Sequence, residues 1–421
     1  MIESKDVAAV RDQLARQVAH WGAAADDLAD VTLLAAPAAW RSLERYLGTA
    51  IETTLAESVR GLRAQADVLR ARLLAAVHER DLADLHRELL RFRRRYLAVE
   101  ASLDFFGDAI NTRTNEKLCA YLSACDFLAR ESMRPVLEPT GLRVPRVLTY
   151  VDKGLGASIL KAGLRLWDQQ FVSPVAVIKI VRHNLQRPTA LIHETGHQVA
   201  HLTKWTAQLA AALSNGLSGN RSLADLWSGW ASEIAADAFA FVHTGFASLS
   251  ALHGVLAGEG SWVFRVEPLD PHPSGYVRIL LVRAMCQRFF GAGPWDQLAR
   301  AWIRMYPLEN ASPETARTFR ASLDHLPKIV EIVLEREYAA LGGHALVDLV
   351  DPARVKPEAL LELERLAGPA LYVSTDWVRR ESLRLLALSG YRAATDTLHA
   401  PETLQRQHEW MTRLGELAKA A

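Results

Sequence analysis

Residues 193–197 read His-Glu-Thr-Gly-His, and a second acidic pair, Glu233 and Asp237, follows at the spacing Glu-x-x-x-Asp. On an α-helix His193 and His197 lie one turn apart on one face, so both imidazoles can reach a single metal ion. Glu194 lies about 100° further round, placed to take a proton from a water held by that metal. A catalytic zinc uses three protein ligands and keeps its fourth position open, and Glu233 is the best candidate for the third. Asp237, one turn beyond Glu233, is placed to hold the free ring nitrogen of a ligand histidine. The plain alternative is a pair of core histidines beside a solvated acidic face. The apolar surroundings weigh against it, because an unpartnered polar cluster on a buried helix is costly.

The elements that must position these groups are legible around them. Pro188 is placed to start a helix, and Ala190, Leu191, Ile192, Val199 and Ala200 give it an apolar body. Ala231, Ala235, Ala236 and Ala238 surround Glu233 and Asp237, small enough for a second helix to approach the first closely. Upstream, Arg146 to Val151 and Val172 to Val181 are rich in valine, isoleucine and leucine and read as strands. A small sheet before a metal helix suits a peptide hydrolase, because an exposed edge can hold an extended peptide as another strand. Pro174 makes the segment 174–181 a candidate for that edge; an ordinary core strand fits it equally. His201 lies one turn beyond His197, but a third histidine ligand on this helix belongs at position 203, which is Thr203. A surface or outer-sphere role fits His201 better.

The His-Glu-x-x-His helix followed by Glu-x-x-x-Asp resembles the gluzincin metallopeptidases. Glu233 to Ala240 and His272-Pro273, with Arg278-Ile279 a few residues on, resemble the CAAX-protease and HtpX-like branch of that family. The match covers roughly residues 146–285. It implies that His193, His197 and Glu233 bind Zn2+, that Glu194 is the general base and that Asp237 supports a ligand histidine. His272, Tyr276 and Arg278 lie in the segment resembling the family's His-Pro and Arg-Ile stretch, and each is a candidate to donate a hydrogen bond to the reacting carbonyl oxygen. His272, on a loop stiffened by Pro271 and Pro273, is the first choice, and Arg278 equally suits an anchoring ion pair.

Many members of that branch cross membranes. Here Ala238 to Gly258 lacks Asp, Glu, Lys and Arg for 21 residues, long enough for a span. Its histidines, threonine, serines and glycines, and its continuity with the Glu233 helix, favour a buried helix and turn instead. The charged start Met1-Ile2-Glu3-Ser4-Lys5-Asp6 does not read as a secretory signal, so a cytoplasmic location is expected. With 49 Lys and Arg against 48 Asp and Glu in 421 residues, the formal charge is +1, and no broad field points to nucleic acid. The run Arg91, Arg93, Arg94 and Arg95 reads as a solvated helix face. Cys119, Cys125 and Cys286 are too few for a disulfide framework.

From Leu62 to Phe106 there is no glycine or proline, and apolar residues step by alternating fours and threes: Leu55, Val59, Leu62, Ala66, Leu69 and Leu73, then Leu82, Leu85, Leu89, Phe92, Tyr96, Val99 and Leu103. This coiled-coil spacing changes phase near His78 to Asp81, where Asp81 is placed to cap a new helix, and predicts an antiparallel hairpin. Such a bundle supports the rest of the chain or offers a surface to a protein partner. Past Pro294 the chain reads as helical, without a chemical motif.

The expected fold is mostly α with a small β-sheet (α+β): helical residues 1–137, a zincin-like core over 138–295 and a helical region over 296–421. The expected activity is zinc-dependent hydrolysis of a peptide or protein substrate, without a membrane span. The alternatives are a non-catalytic helical scaffold with a structural zinc and a zinc hydrolase of a non-peptide amide. Glu194 separates catalyst from scaffold, because a structural site is closed by a fourth ligand and needs no base.

Overall fold

The computed structural model describes residues 5–154, 157–162, 165–166, 171–185, 188–267 and 270–419. Met1 to Ser4, where the charged amino terminus begins, lie outside them. The chain is mostly helical with a small mixed sheet, as its patterning predicts. It divides into two compact units, Met1–Thr114 with Ala162–Pro174, and Asn115–Lys161 with Val175–Ala421. The division differs from the expected three parts: the break comes at 114 rather than 137, and the C-terminal helices belong with the metal motif.

The first unit contains α1 (Lys5–Asp27), α2 (Pro37–Leu47), α3 (Ile51–Ala75) and α4 (Glu79–Thr112). Helices α3 and α4 form the expected hairpin across a three-residue connection. Leu55, Val59, Leu62, Ala66 and Leu69 on α3, and Leu82 to Leu103 on α4, are its buried seam. Leu73 is only half-buried, where the seam ends. Asp81 does cap α4: its carboxylate accepts from the backbone N–H groups of Val77 (3.0 Å) and His78 (2.9 Å), satisfying donors that a helix start leaves open.

The second unit opens with α5 (Glu116–Leu137) and the strand β1 (Arg146–Val151), followed by β2 (Ser158–Leu160). The first unit's excursion contributes the short pair β3 (Arg165–Leu166) and β4 (Phe171–Val172), and the second unit resumes at β5 (Val175–Ile180). In the three-stranded sheet β5 is central, parallel to β1 with Arg146 opposite Val175, and antiparallel to β2 with Leu160 opposite Val177. The residues after Pro174 are therefore a core strand and not the open edge. Val175 to Ile178 are four consecutive buried apolar residues, which reflects cover on both faces, with Lys179 half-buried near the strand's end. Helix α5 is pinned to β1 by Asp126, which accepts from the Thr149 N–H at 2.6 Å and from its hydroxyl at 2.8 Å.

After the sheet come α6 (Thr189–Thr203), α7 (Trp205–Gly216), α8 (Arg221–Gly229), α9 (Ala231–Thr244), α10 (Phe246–Leu256), α11 (Gly260–Val263) and α12 (Gly275–Phe290). Pro188 sits just before α6, and Lys204, in the left-handed conformation (φ 64°), ends it. The uncharged stretch Ala238 to Gly258 is two helices broken at Gly245 (φ 54°, ψ −129°). No helix among the described residues is long and apolar enough to cross a membrane. Further helices, among them Pro313–Val330, Ser382–Thr395 and Ala400–Lys419, complete the unit.

Candidate metal and hydrolase site

Helices α6 and α9 meet through small residues. A side chain at Gly196 would come within 2.8 Å of the Ala236 Cα and 3.2 Å of its carbonyl oxygen, so glycine at the fourth position of the histidine motif lets the two backbones touch. Thr195, on another face of α6, shares a 3.0 Å hydroxyl contact with Ser132 of α5. Position and rotation of α6 are thus fixed before any charged group is considered.

That packing brings His193, His197 and Glu233 together, with one ligand atom from each within 4.8 Å of the others. Glu233 Oε2 lies 3.3 Å from His193 Nε2, and Oε1 lies 3.1 Å from His197 Nε2. Both outer ring nitrogens are engaged from behind: His193 Nδ1 is 2.9 Å from Asp237 Oδ1, and His197 Nδ1 is 3.2 Å from the Ser232 hydroxyl. Two imidazole nitrogens and a carboxylate oxygen, converging and braced through their far sides, are a donor set that zinc accepts. Among the described residues no other group of histidine, cysteine and acid side chains converges in this way.

The cluster is buried and charged. Arg278 of α12, 7% exposed, donates from Nε (2.5 Å) and Nη2 (2.9 Å) to the two oxygens of Asp237, and its Nη2 lies 3.0 Å from Glu233 Oε2. Burial alone would raise the pKa of both acids; Arg278 and the His193 contacts overcome it and hold them below their ordinary range, Glu233 far below. Burial works equally against protonation of His193, yet Asp237 and Glu233 push its pKa up to about 10. Glu194 moves opposite to those two acids: burial raises its pKa, and the nearby histidines only partly offset the rise. A raised pKa makes the carboxylate a stronger base, the direction that a general base requires.

The remaining expected residues divide. His272 Nε2 lies 3.6 Å from Glu233 Oε1, while its Nδ1 is 2.7 Å from Asp270 Oδ1. The ring is therefore oriented by an acid and placed at the rim, 63% exposed. Tyr276 is instead packed in the core, stacked on Phe319 at 5.6 Å between ring centroids and against Phe264. Its hydroxyl senses Glu309 and Arg320, not the histidine cluster.

Two residues at the site have no signal in the motif pattern. Ser232 immediately precedes Glu233 and turns to His197; only the rule that a ligand histidine needs a second partner points to it. Lys161 follows β2, a strand too short to register as periodicity, and its charge interacts with Glu194 and Glu233. No protein-family model, no curated protein and no solved structure matches the chain.

Proposed function

We propose that the protein is a zinc-dependent peptide hydrolase of gluzincin type. The observation that carries this reading is Glu194: a buried carboxyl of raised pKa, one residue from His193 and beside a set of three converging ligands rather than four. A structural site has no use for such a group.

Zinc bound by His193, His197 and Glu233 would polarise the substrate carbonyl and make a water acidic enough to lose a proton near neutral pH. Glu194 takes that proton as the water oxygen bonds to the carbonyl carbon. Glu194 then delivers it to the amide nitrogen, and the carbon–nitrogen bond breaks to give a carboxylic acid and an amine. Asp237 and Ser232 keep both imidazoles turned with Nε2 inward. Arg278, its donors committed to Asp237 and Glu233, offsets the buried acids. His272, exposed at the rim, is the group on this side that can donate to the substrate. The outer edge of β2, which packs against α6 and pairs with no further strand among the described residues, is suited to receive an extended peptide as an added strand.

The test is to expose a proteome-derived peptide library to the wild-type protein and to Glu194→Gln and compare the products by mass spectrometry. Wild type is expected to generate new termini that Glu194→Gln does not. Indistinguishable profiles would favour a scaffold with a structural metal.

A further inference from the structure

Hydrolysis of an amide places a full negative charge on the former carbonyl oxygen, and metal enzymes commonly share that load with a protein donor. Of the other polar groups at the site, Arg278 is held by Asp237 and Glu233, and His272, oriented by Asp270 through Nδ1, stands at the exposed rim. Lys161 is different. It continues directly from β2, whose Leu160 is fixed opposite Val177 of the central strand and which packs on the helix bearing His193 and Glu194. The side chain is half-buried, and among the described residues its ammonium closes no ion pair or hydrogen bond. Its charge nevertheless interacts with both Glu194 and Glu233, the base and a ligand. An uncommitted cation at the end of an edge strand that packs on α6, its charge felt by Glu194 and Glu233, has the charge and placement to meet the reacting oxygen.

We propose that Lys161 is a further catalytic residue, donating a charged hydrogen bond to the substrate carbonyl oxygen as it becomes negative. This rests on the hydrolase reading above. No additional reactant is required: the ammonium keeps its proton throughout, while the proton taken from water travels through Glu194 to the leaving nitrogen. Because the charge exists only near the transition state, Lys161 should act on turnover and not on ground-state binding.

The experiment compares zinc-loaded wild type, Lys161→Met and Lys161→Arg on the library peptide that wild type cleaves fastest, and on a phosphinate analogue of that peptide. The phosphinate oxygens reproduce the negative oxygen. Lys161→Met should keep its zinc and melting temperature, lower kcat by roughly 10²-fold, leave KM within about threefold, and weaken phosphinate binding by a factor close to the loss in kcat. Lys161→Arg should recover part of both. Unchanged kcat and unchanged phosphinate affinity in Lys161→Met would overturn the role of Lys161 while leaving the hydrolase reading intact. A wild-type protein that binds no zinc and cleaves no peptide would overturn the hydrolase reading, and the role of Lys161 with it.

Discussion

The α3–α4 hairpin and the α6–α9 pair solve the same problem, holding two helices side by side, in opposite ways. The hairpin interlocks large apolar side chains and keeps its charges outside: Arg72 of α3 pairs with Glu88 of α4 at a largely exposed position. The α6–α9 pair closes on Gly196 and Ala236 and places Glu194, Glu233 and Asp237 inside. Burying three acids is unfavourable unless each has a partner, and the partners, Arg278, His193 and His197, come from other turns and another helix. A helix pair that maximised stability would resemble the hairpin. The cost accepted in α6 and α9 sets the candidate site apart from the rest of the chain.

The contrast is broken most severely at Arg278. Its replacement by Met leaves Asp237 and Glu233 buried without their cation and should cost about 3–5 kcal/mol, read as a lowered denaturant midpoint. Arg72→Met, which removes the exposed pair of the hairpin, should cost less than about 1 kcal/mol. Comparable losses would mean that the buried charges are not the discriminating feature.

Glycine sharpens the comparison at a smaller scale. Gly196→Ala forces a methyl against the Ala236 backbone and should destabilise by about 1–3 kcal/mol. In α3, a methyl at Gly61 would meet only the guanidinium end of Arg95, at 3.0 Å, which can swing away. Gly61→Ala should therefore stabilise by about 0.5–1 kcal/mol, through reduced freedom of the unfolded chain. Thermal melts of the two variants should move in opposite directions; a shift of the same sign would contradict the close contact at Gly196.

A last effect, absent at neutral pH, concerns acid. His243, at the far end of α9, is fully buried, its Nε2 without a partner among the described residues. Burial drives its pKa down to about 3, with a backbone contact to Ser132 opposing and Arg354 assisting. Since the unfolded value is near 6.5, the unfolded chain gains a proton that the folded chain refuses. The stability from a neutral His243 is complete above about pH 6.5 and is lost as pH falls toward 3, at up to about 1.4 kcal/mol per unit. His243→Phe should flatten that slope in denaturant titrations between pH 6.5 and 4.5. An unchanged slope would assign acid sensitivity to other groups.

The hairpin was readable because period and burial coincide residue by residue, from Leu55 to Leu103, and because Asp81 marks the break between its helices. The cluster of His193, His197, Glu233 and Asp237 was readable for a related reason: one-turn spacings survive as fixed intervals in sequence. What spacing does not carry is partnership between distant segments. The bond between Arg278 and Asp237 crosses 41 positions, and the tyrosine two residues before that arginine turned into an aromatic stack. The central place of β5 was hidden by Pro174, which stands just outside the strand and removes no ladder hydrogen bond within it. Strand β2, three residues long, left no pattern at all, and with it went the signal for Lys161.

The central claim is that α6 and α9 accept their buried charge in order to hold a metal beside Glu194. It is tested most directly by titrating zinc into the metal-free wild-type protein and into Glu194→Gln, Asp237→Asn and Glu233→Ala, following bound metal by calorimetry. The account predicts about one zinc per chain for wild type and for Glu194→Gln, whose changed group is the base and not a ligand. Asp237→Asn should bind about 10- to 100-fold more weakly, and Glu233→Ala should show no tight site. Full zinc binding by Glu233→Ala, or loss of zinc in Glu194→Gln in a protein that still folds, would contradict it.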